Sequence, residues 1–246
     1  MTSWRFARVS LSARVRRAIL GSVLAMLLAV SGVSLSADDV TAAPKFSAMT
    51  VDARTGEVLY AQDPDGMRHP ASLTKMMTLY ILFEELKAGR LGLQSSITVS
   101  ARATGMAPSK LGIRAGGTIT VETAIQALVV KSANDVAAAV AETISGTEKA
   151  FAKRMTTTAR AIGMSRTTFA NASGLPNPAQ VTTARDMATL GLRLMRDFPQ
   201  YYPYFRTRSF IFQGRTIKGH NRLLGSYEGT DGIKTGFINA SGFNLV

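Results

Sequence analysis

Apolar and polar positions alternate with different periods in different parts of the chain, and the periods divide it into recognisable elements. An uncharged apolar run covers Ala18 to about Leu35. Phe46 to Val51 and Val58 to Ala61 then read as two strands around Asp52-Ala53-Arg54-Thr55-Gly56, the pattern of a hairpin. A polar loop through Pro64, Asp65 and Gly66 leads to His69-Pro70-Ala71-Ser72, where a helical pattern begins; it runs to Ala88, with Gly89 suited to the C-terminal cap. Leu93 to Thr120 is rich in glycine and small polar residues and reads as mostly loop, with one strand signal at Ile97 to Val99. Helical spacing returns from Val121 to Val130, breaks over Lys131 to Asn134, and resumes as an alanine-rich run to about Ile144. Within that run Val136 to Ala141 is apolar on every side, which predicts burial.

A further helix is predicted from about Glu148 to Ile162. Asn171 to Ala179 is a loop, and Thr183-Ala184-Arg185-Asp186 resembles a capping box opening a helix to about Arg196. From Ser209 the signal changes to strands: Ser209 to Gln213, Arg215 to Lys218, Gly232 to Thr235 and Gly242 to Val246. Strands at both ends of a helical middle predict an α+β domain, an antiparallel sheet with helices packed on it and a helical cluster beside it. The final Asn244-Leu245-Val246 reads as a strand cut partway, so the expectation is a domain truncated at its C-terminal end.

Composition changes this picture at the N-terminus. The chain of 246 residues carries a formal charge of +13, but Arg5, Arg8, Arg14, Arg16 and Arg17 all precede the first apolar run. A basic start followed by an apolar segment is the layout of a secretory signal. The expected organisation is a signal peptide over 1–36, cleaved near Ser36 or Ala37 or as late as Ala42, a linker over 37–45, and one domain over 46–246. An uncleaved membrane anchor is the alternative, so membrane association stays open. Removing the signal lowers the charge from +13 to +8. That surplus is dispersed, without a basic stripe or interleaved aromatics, and the expectation is no nucleic-acid partner. There is no cysteine, so neither disulfides nor thiolate chemistry are available. His69 and His220 have no carboxylates at ligand spacing, so no metal and no cofactor are expected.

Three short pieces carry candidate chemistry: Ser72-Leu73-Thr74-Lys75, Ser132-Ala133-Asn134 and Lys234-Thr235-Gly236. Each alone has an ordinary explanation, respectively a helix cap with a solvated lysine, a helix break, and a surface strand. Together they describe a reaction centre. Residues i and i+3 of a helix share a face, so the Lys75 ammonium can reach the Ser72 hydroxyl. Burial and a second cation, which Lys234 could supply, would lower the lysine pKa enough for it to act as a base. Ser132 and Asn134 offer a hydroxyl and an amide for proton relay and substrate orientation. Lys234 and Thr235 could hold a carboxylate, with Gly236 allowing a substrate to lie close along the strand.

Ordered helix start, interhelical break and late strand, the trio is the combination that marks penicillin-binding proteins and class A β-lactamases. Longer stretches extend the likeness: Pro70 to Thr78, Ser132 to Asp135, Gly174-Leu175-Pro176, Thr183 to Ala188 and Asp231 to Gly236. Over about Lys45 to Val246 the sequence resembles the D-alanyl-D-alanine carboxypeptidase family of low-molecular-weight penicillin-binding proteins. The resemblance implies the penicillin-binding and β-lactamase-like transpeptidase fold, and a hydrolase that removes the terminal D-alanine from peptidoglycan pentapeptide stems and is acylated by β-lactam antibiotics. It implies Ser72 as nucleophile, Lys75 as general base and Ser132 as proton relay. Asn134 would contact the substrate backbone, Lys234 and Thr235 the terminal carboxylate, and the backbone N–H groups of Ser72 and Phe237 the oxyanion. Some members have histidine where this chain has Phe237. Export to the periplasm or the outer face of the cytoplasmic membrane follows from the same likeness. A DD-endopeptidase, a class A-like β-lactamase and a catalytically silent wall-binding protein are the alternatives. The β-lactamase would need a Glu-x-x-Leu-Asn run, which the sequence lacks.

Overall fold

The computed structural model describes residues 46–246. The expected signal peptide over 1–36 and the linker over 37–45 lie outside the described residues. The domain opens with β1 (Ala48–Val51) and β2 (Val58–Gln62), an antiparallel hairpin closed by Asp52, whose carboxylate accepts from the backbone N–H groups of Arg54 and Thr55. A tight 3₁₀ turn over Ala71–Leu73 then feeds α1 (Thr74–Lys87).

Helix α1 is the axis of the domain. Of its side chains only Glu84 and Lys87 are not buried, because apolar residues fall on every face of it. It ends where Gly89 takes a left-handed conformation, φ +68°. Against it pack α4 (Asn134–Ser145), α5 (Glu148–Ala161) and α6 (Ala184–Asp197). Val136 to Ala141 in α4 are all 0% exposed, as their apolar periodicity predicts. Small alanine side chains let the α4 backbone approach its neighbours closely. Thr147 and Thr183 cap α5 and α6, each hydroxyl accepting from the backbone N–H three residues on.

The segment expected to be mostly loop contains more order than its composition suggests. Strand β3 (Ser96–Thr98) pairs with β4 (Thr118–Thr120), and a short helix α2 (Ala101–Thr104) lies between them. Ile97 and Ile119 supply the buried face of this ribbon, a two-position alternation too brief to stand out beside so many glycines. Helix α3 (Val121–Gln126) widens into a single π turn over Ala127–Lys131 and ends at Ser132, which is left-handed at φ +58°. This is the helix break expected at Lys131 to Asn134.

Two further ribbons finish the chain: β5 (Ser209–Phe212) with β6 (Arg215–Lys218), and β7 (Thr235–Ile238) with β8 (Gly242–Leu245). The third of these strands was expected over Gly232 to Thr235 but begins at Thr235. Ile233 and Lys234 approach it as an extension in which both backbone N–H groups donate to the Val246 carbonyl. Among the described residues the strands pair two by two, antiparallel, as four ribbons around a helical core in place of the one antiparallel sheet expected; the class remains α+β. Among the described residues no helix is long and apolar enough to cross a membrane.

Candidate active site

The three motifs meet in one cleft. Ser72 stands in the tight turn before α1, half-buried, after Ala71 at φ +47°. Lys75, one turn later, is 0% exposed, and its Nζ contacts Ser72 Oγ at 3.2 Å, Asn134 Oδ1 at 2.8 Å and the Ser173 carbonyl at 2.5 Å. Two of those partners can only accept. The Ser173 carbonyl has no hydrogen, and Asn134 is oriented by its Nδ2, which donates to the Ala107 carbonyl at 2.9 Å. A neutral amine has two hydrogens and one lone pair. With both hydrogens spent on Ser173 and Asn134, the lone pair is left for the third partner, the Ser72 hydroxyl.

Burial pushes Lys75 well below the usual lysine range; the charge of Lys234 lowers it further, and the carboxylate of Asp135 pulls partly the other way. Asp135 is itself buried and accepts from the backbone N–H groups of Leu111 and Gly112 at 3.0 and 2.8 Å. Lys234 is 3% exposed and burial brings its pKa down to about 7. Its Nζ donates to the Thr235 carbonyl at 2.9 Å.

The ribbon β7–β8 lies directly on the Ser72 turn. A methyl group on Gly236 would sit 2.8 Å from the Ser72 nitrogen and 3.3 Å from Ala71 Cβ, so only glycine lets the strand come this close. Lys234 and Val246 exchange both backbone hydrogen bonds at 3.0 Å. By the alternation of an antiparallel ladder, the peptide groups of Thr235 and Phe237 then face away from β8, toward the open edge. Thr235 is half-buried, and the Phe237 ring is 54% exposed and packs on Phe243. Ser132 is 7% exposed, yet its Oγ is buried with no partner in a backbone conformation unusual for serine. An orphan hydroxyl of this kind is available to a substrate or a transferring proton.

All eight residues singled out in the sequence fall in or beside this cleft. Two contributors were not foreseen. The Ser173 carbonyl belongs to a loop braced by Asn171, whose Oδ1 accepts from Gly174 N at 2.7 Å, and by Thr78, which donates to the Ala172 carbonyl at 2.7 Å. Gly174, at φ +86°, presses on the Ala71 carbonyl where any Cβ would collide. No group of side chains able to hold a metal ion occurs among the described residues.

A serine hydroxyl, a dehydrated lysine and a glycine-bearing strand edge are groups that acyl transfer could use, and comparison with known proteins bears on the family. The sequence profile of the D-alanyl-D-alanine carboxypeptidase family matches residues 32–246. The chain belongs to that family. D-alanyl-D-alanine carboxypeptidase DacA of Haemophilus influenzae is 33% identical over 233 residues, which cover 91% of this chain and 59% of that protein. The carboxypeptidase DacD of Francisella tularensis superposes with a TM-score of 0.77 at 32% identity, over 81% of this chain and 61% of its own. Penicillin-binding protein D2 of Listeria monocytogenes, in its ampicillin-bound form, superposes with a TM-score of 0.73 at 29% identity, over 81% of this chain and 82% of its own. The present carboxypeptidase-family chain thus spans about three fifths of the length of the first two relatives.

Proposed function

We propose that this chain is the catalytic domain of a serine D-alanyl-D-alanine carboxypeptidase that trims peptidoglycan stem peptides and is acylated by penicillins. One observation carries the reading: the buried Lys75 nitrogen touches Ser72 Oγ and two pure acceptors, so that in its neutral form both hydrogens go to the acceptors and the lone pair faces Ser72. Ser72 Oγ attacks the carbonyl of the penultimate D-alanine as its proton passes to Lys75. The resulting oxyanion accepts from the N–H groups of Ser72 and Phe237. The C–N bond then breaks, the departing amine takes a proton delivered through Ser132, and terminal D-alanine leaves. Water, activated by the same lysine, cleaves the Ser72 ester. Lys234 and Thr235 hold the terminal carboxylate, Asn134 the peptide backbone, and Gly236 the close approach of the strand.

In penicillin the amine stays tethered to the acyl group, so the ester persists; the ampicillin-bound Listeria relative supports such chemistry here. The export signal over 1–36 and the linker before a catalytic domain over 46–246 fit an enzyme working at the periplasmic face of the cytoplasmic membrane, where its substrate lies. Cleavage of cross-linked stems by the same groups is the second reading, and release of free D-alanine from a pentapeptide against cleavage of a cross-linked dimer separates the two.

The test is mass spectrometry of protein treated with benzylpenicillin. We expect one adduct, on the peptide containing Ser72, and none in Ser72→Ala. An adduct that persists in the variant refutes the nucleophile.

A further inference from the structure

Beyond Lys234 and Thr235 the cleft continues into a pocket between the π turn, the start of β5, the loop after β6 and the approach to β7. Its polar lining comes from Thr207, Arg208, His220 and Asn221 together with Lys234 and Thr235. No carboxylate lines it. Arg208 is exposed and forms no ion pair among the described residues; its guanidinium lies close to Gly225, and its carbonyl accepts from Gly219 N at 2.9 Å. Asn221 is tied to the Gly232 carbonyl at 3.2 Å. His220 lines the pocket beside Lys234, and its pKa is lowered by partial burial first and then by the positive charges of Lys234 and of Lys131 at the end of the π turn, a hydrogen bond with the Lys131 backbone pulling the other way. Three basic side chains, with no carboxylate among the lining residues, meet in one pocket at the start of the strand that carries Gly236, a setting suited to an anion.

We propose that His220 is a specificity-determining residue that makes recognition of the substrate's terminal carboxylate tighten on acidification. This rests on the carboxypeptidase reading above. When the pocket is empty, a proton on His220 is opposed by partial burial and by Lys234 and Lys131. A bound carboxylate offsets that repulsion, so substrate and proton enter together and each favours the other. A stem ending in an amide brings no charge and gains nothing. Lys234 also titrates near neutrality and contributes its own tightening, so the His220 share is a difference between variants.

The experiment measures calorimetric affinity between pH 8 and pH 5.5 in chains carrying Ser72→Ala, which removes the chemistry. The probes are a stem pentapeptide ending in a free D-Ala carboxylate and the same peptide as its C-terminal amide. The free acid is expected to tighten on acidification; adding His220→Gln should remove about fivefold of that gain, a partly screened charge at a few ångströms. His220→Arg, with its charge fixed, should bind the free acid at pH 8 more tightly than the unaltered pocket does. Identical pH dependence with histidine and glutamine, or no distinction between acid and amide at any pH, overturns the proposal. Benzylpenicillin labelling of His220→Gln with Ser72 intact separates the two failures: an adduct on Ser72 keeps the carboxypeptidase reading and the fold while the His220 proposal falls, and no adduct in the parent chain removes the reading beneath it.

Discussion

Lys75 and Lys234 share one cleft and are equally dry, at 0% and 3% exposure, yet their surroundings prepare them for different work. Lys75 rises from a helix buried on every face and is gripped by two pure acceptors from two other segments. Its orientation is over-determined, and in the proposed mechanism its one exchange is a proton with Ser72. Lys234 comes from the approach to a two-stranded ribbon whose outer residues are open to solvent, Phe243 at 92% exposure, and its one side-chain hydrogen bond runs to the next residue's carbonyl. Two of its three donors remain for a ligand. The contrast teaches that burial alone does not make a base: the acceptors around the nitrogen decide whether it takes a proton or holds an anion.

The largest effect that tests this contrast is at Lys75. Lys75→Ala should slow benzylpenicillin acylation about a thousandfold, the usual weight of a positioned general base, as measured by stopped-flow quenching. The pH dependence gives the sharper sign. Desolvation favours the neutral amine, so Lys75 is competent above its lowered pKa and loses activity as the pH falls through it. The wild-type rate should show that acid limb, and the residual rate of the variant should not. An acid limb of unchanged position in Lys75→Ala would reassign the base.

A smaller effect is expected at Lys234. Lys234→Gln removes one charge-assisted hydrogen bond and should raise KM for a free-acid stem about tenfold while changing kcat less. Lys234 is a cation below its pKa of about 7 in the empty site and neutral above it, and a bound carboxylate draws that pKa upward. KM should therefore climb on the alkaline side in the wild type and stay flat there in the variant, while the acid limb set by Lys75 persists in both. D-alanine release measured across the pH range checks both limbs. If the two lysines proved interchangeable in these profiles, the division of labour would be wrong.

Much of this was legible before any coordinates. That Ser72, Lys75, Ser132, Asn134 and Lys234 would be brought together was legible because their polar side chains recur in a specific order along the chain. The break at Lys131 to Asn134 is readable because two helical patterns lose phase there, and Thr183 because capping depends on local spacing. The Ser173 carbonyl has no such signature: a backbone acceptor looks alike at every residue, and only the brace from Asn171 and Thr78 aims this one at Lys75. Turn composition in Asn171-Ala172-Ser173-Gly174 marks the loop without indicating what its carbonyls face. The fit of Gly236 on the Ser72 nitrogen and of Gly174 on Ala71 is likewise tertiary, since nothing local distinguishes a glycine needed for a turn from one needed for a neighbour's approach. Strand β4 and the first residue of β7 escaped for a related reason, because two-stranded ribbons take their register from partners distant in sequence.

The smallest effect asks whether the rigid half of the comparison is rigid locally or only because the whole domain is stable. Thr147 caps α5, its hydroxyl accepting from Ala150 N at 3.1 Å, and the next residue, Glu148, reaches the Ala172 nitrogen at 2.9 Å in the loop that supplies the Ser173 carbonyl. Thr147→Ala removes an exposed cap and leaves no cavity, so it should cost about 1 kcal/mol and lower Tm by roughly 2–4 °C in a domain of this size. Glu148 also pairs with Arg102, and Thr78 holds Ala172 independently, so fraying the first turn of α5 should not release the loop. Thermal unfolding should therefore move while the acylation rate and its acid limb stay where they were. An acid limb that shifted along with Tm would mean that the Lys75 environment is sustained by the stability of α5 rather than by the acceptors that grip it.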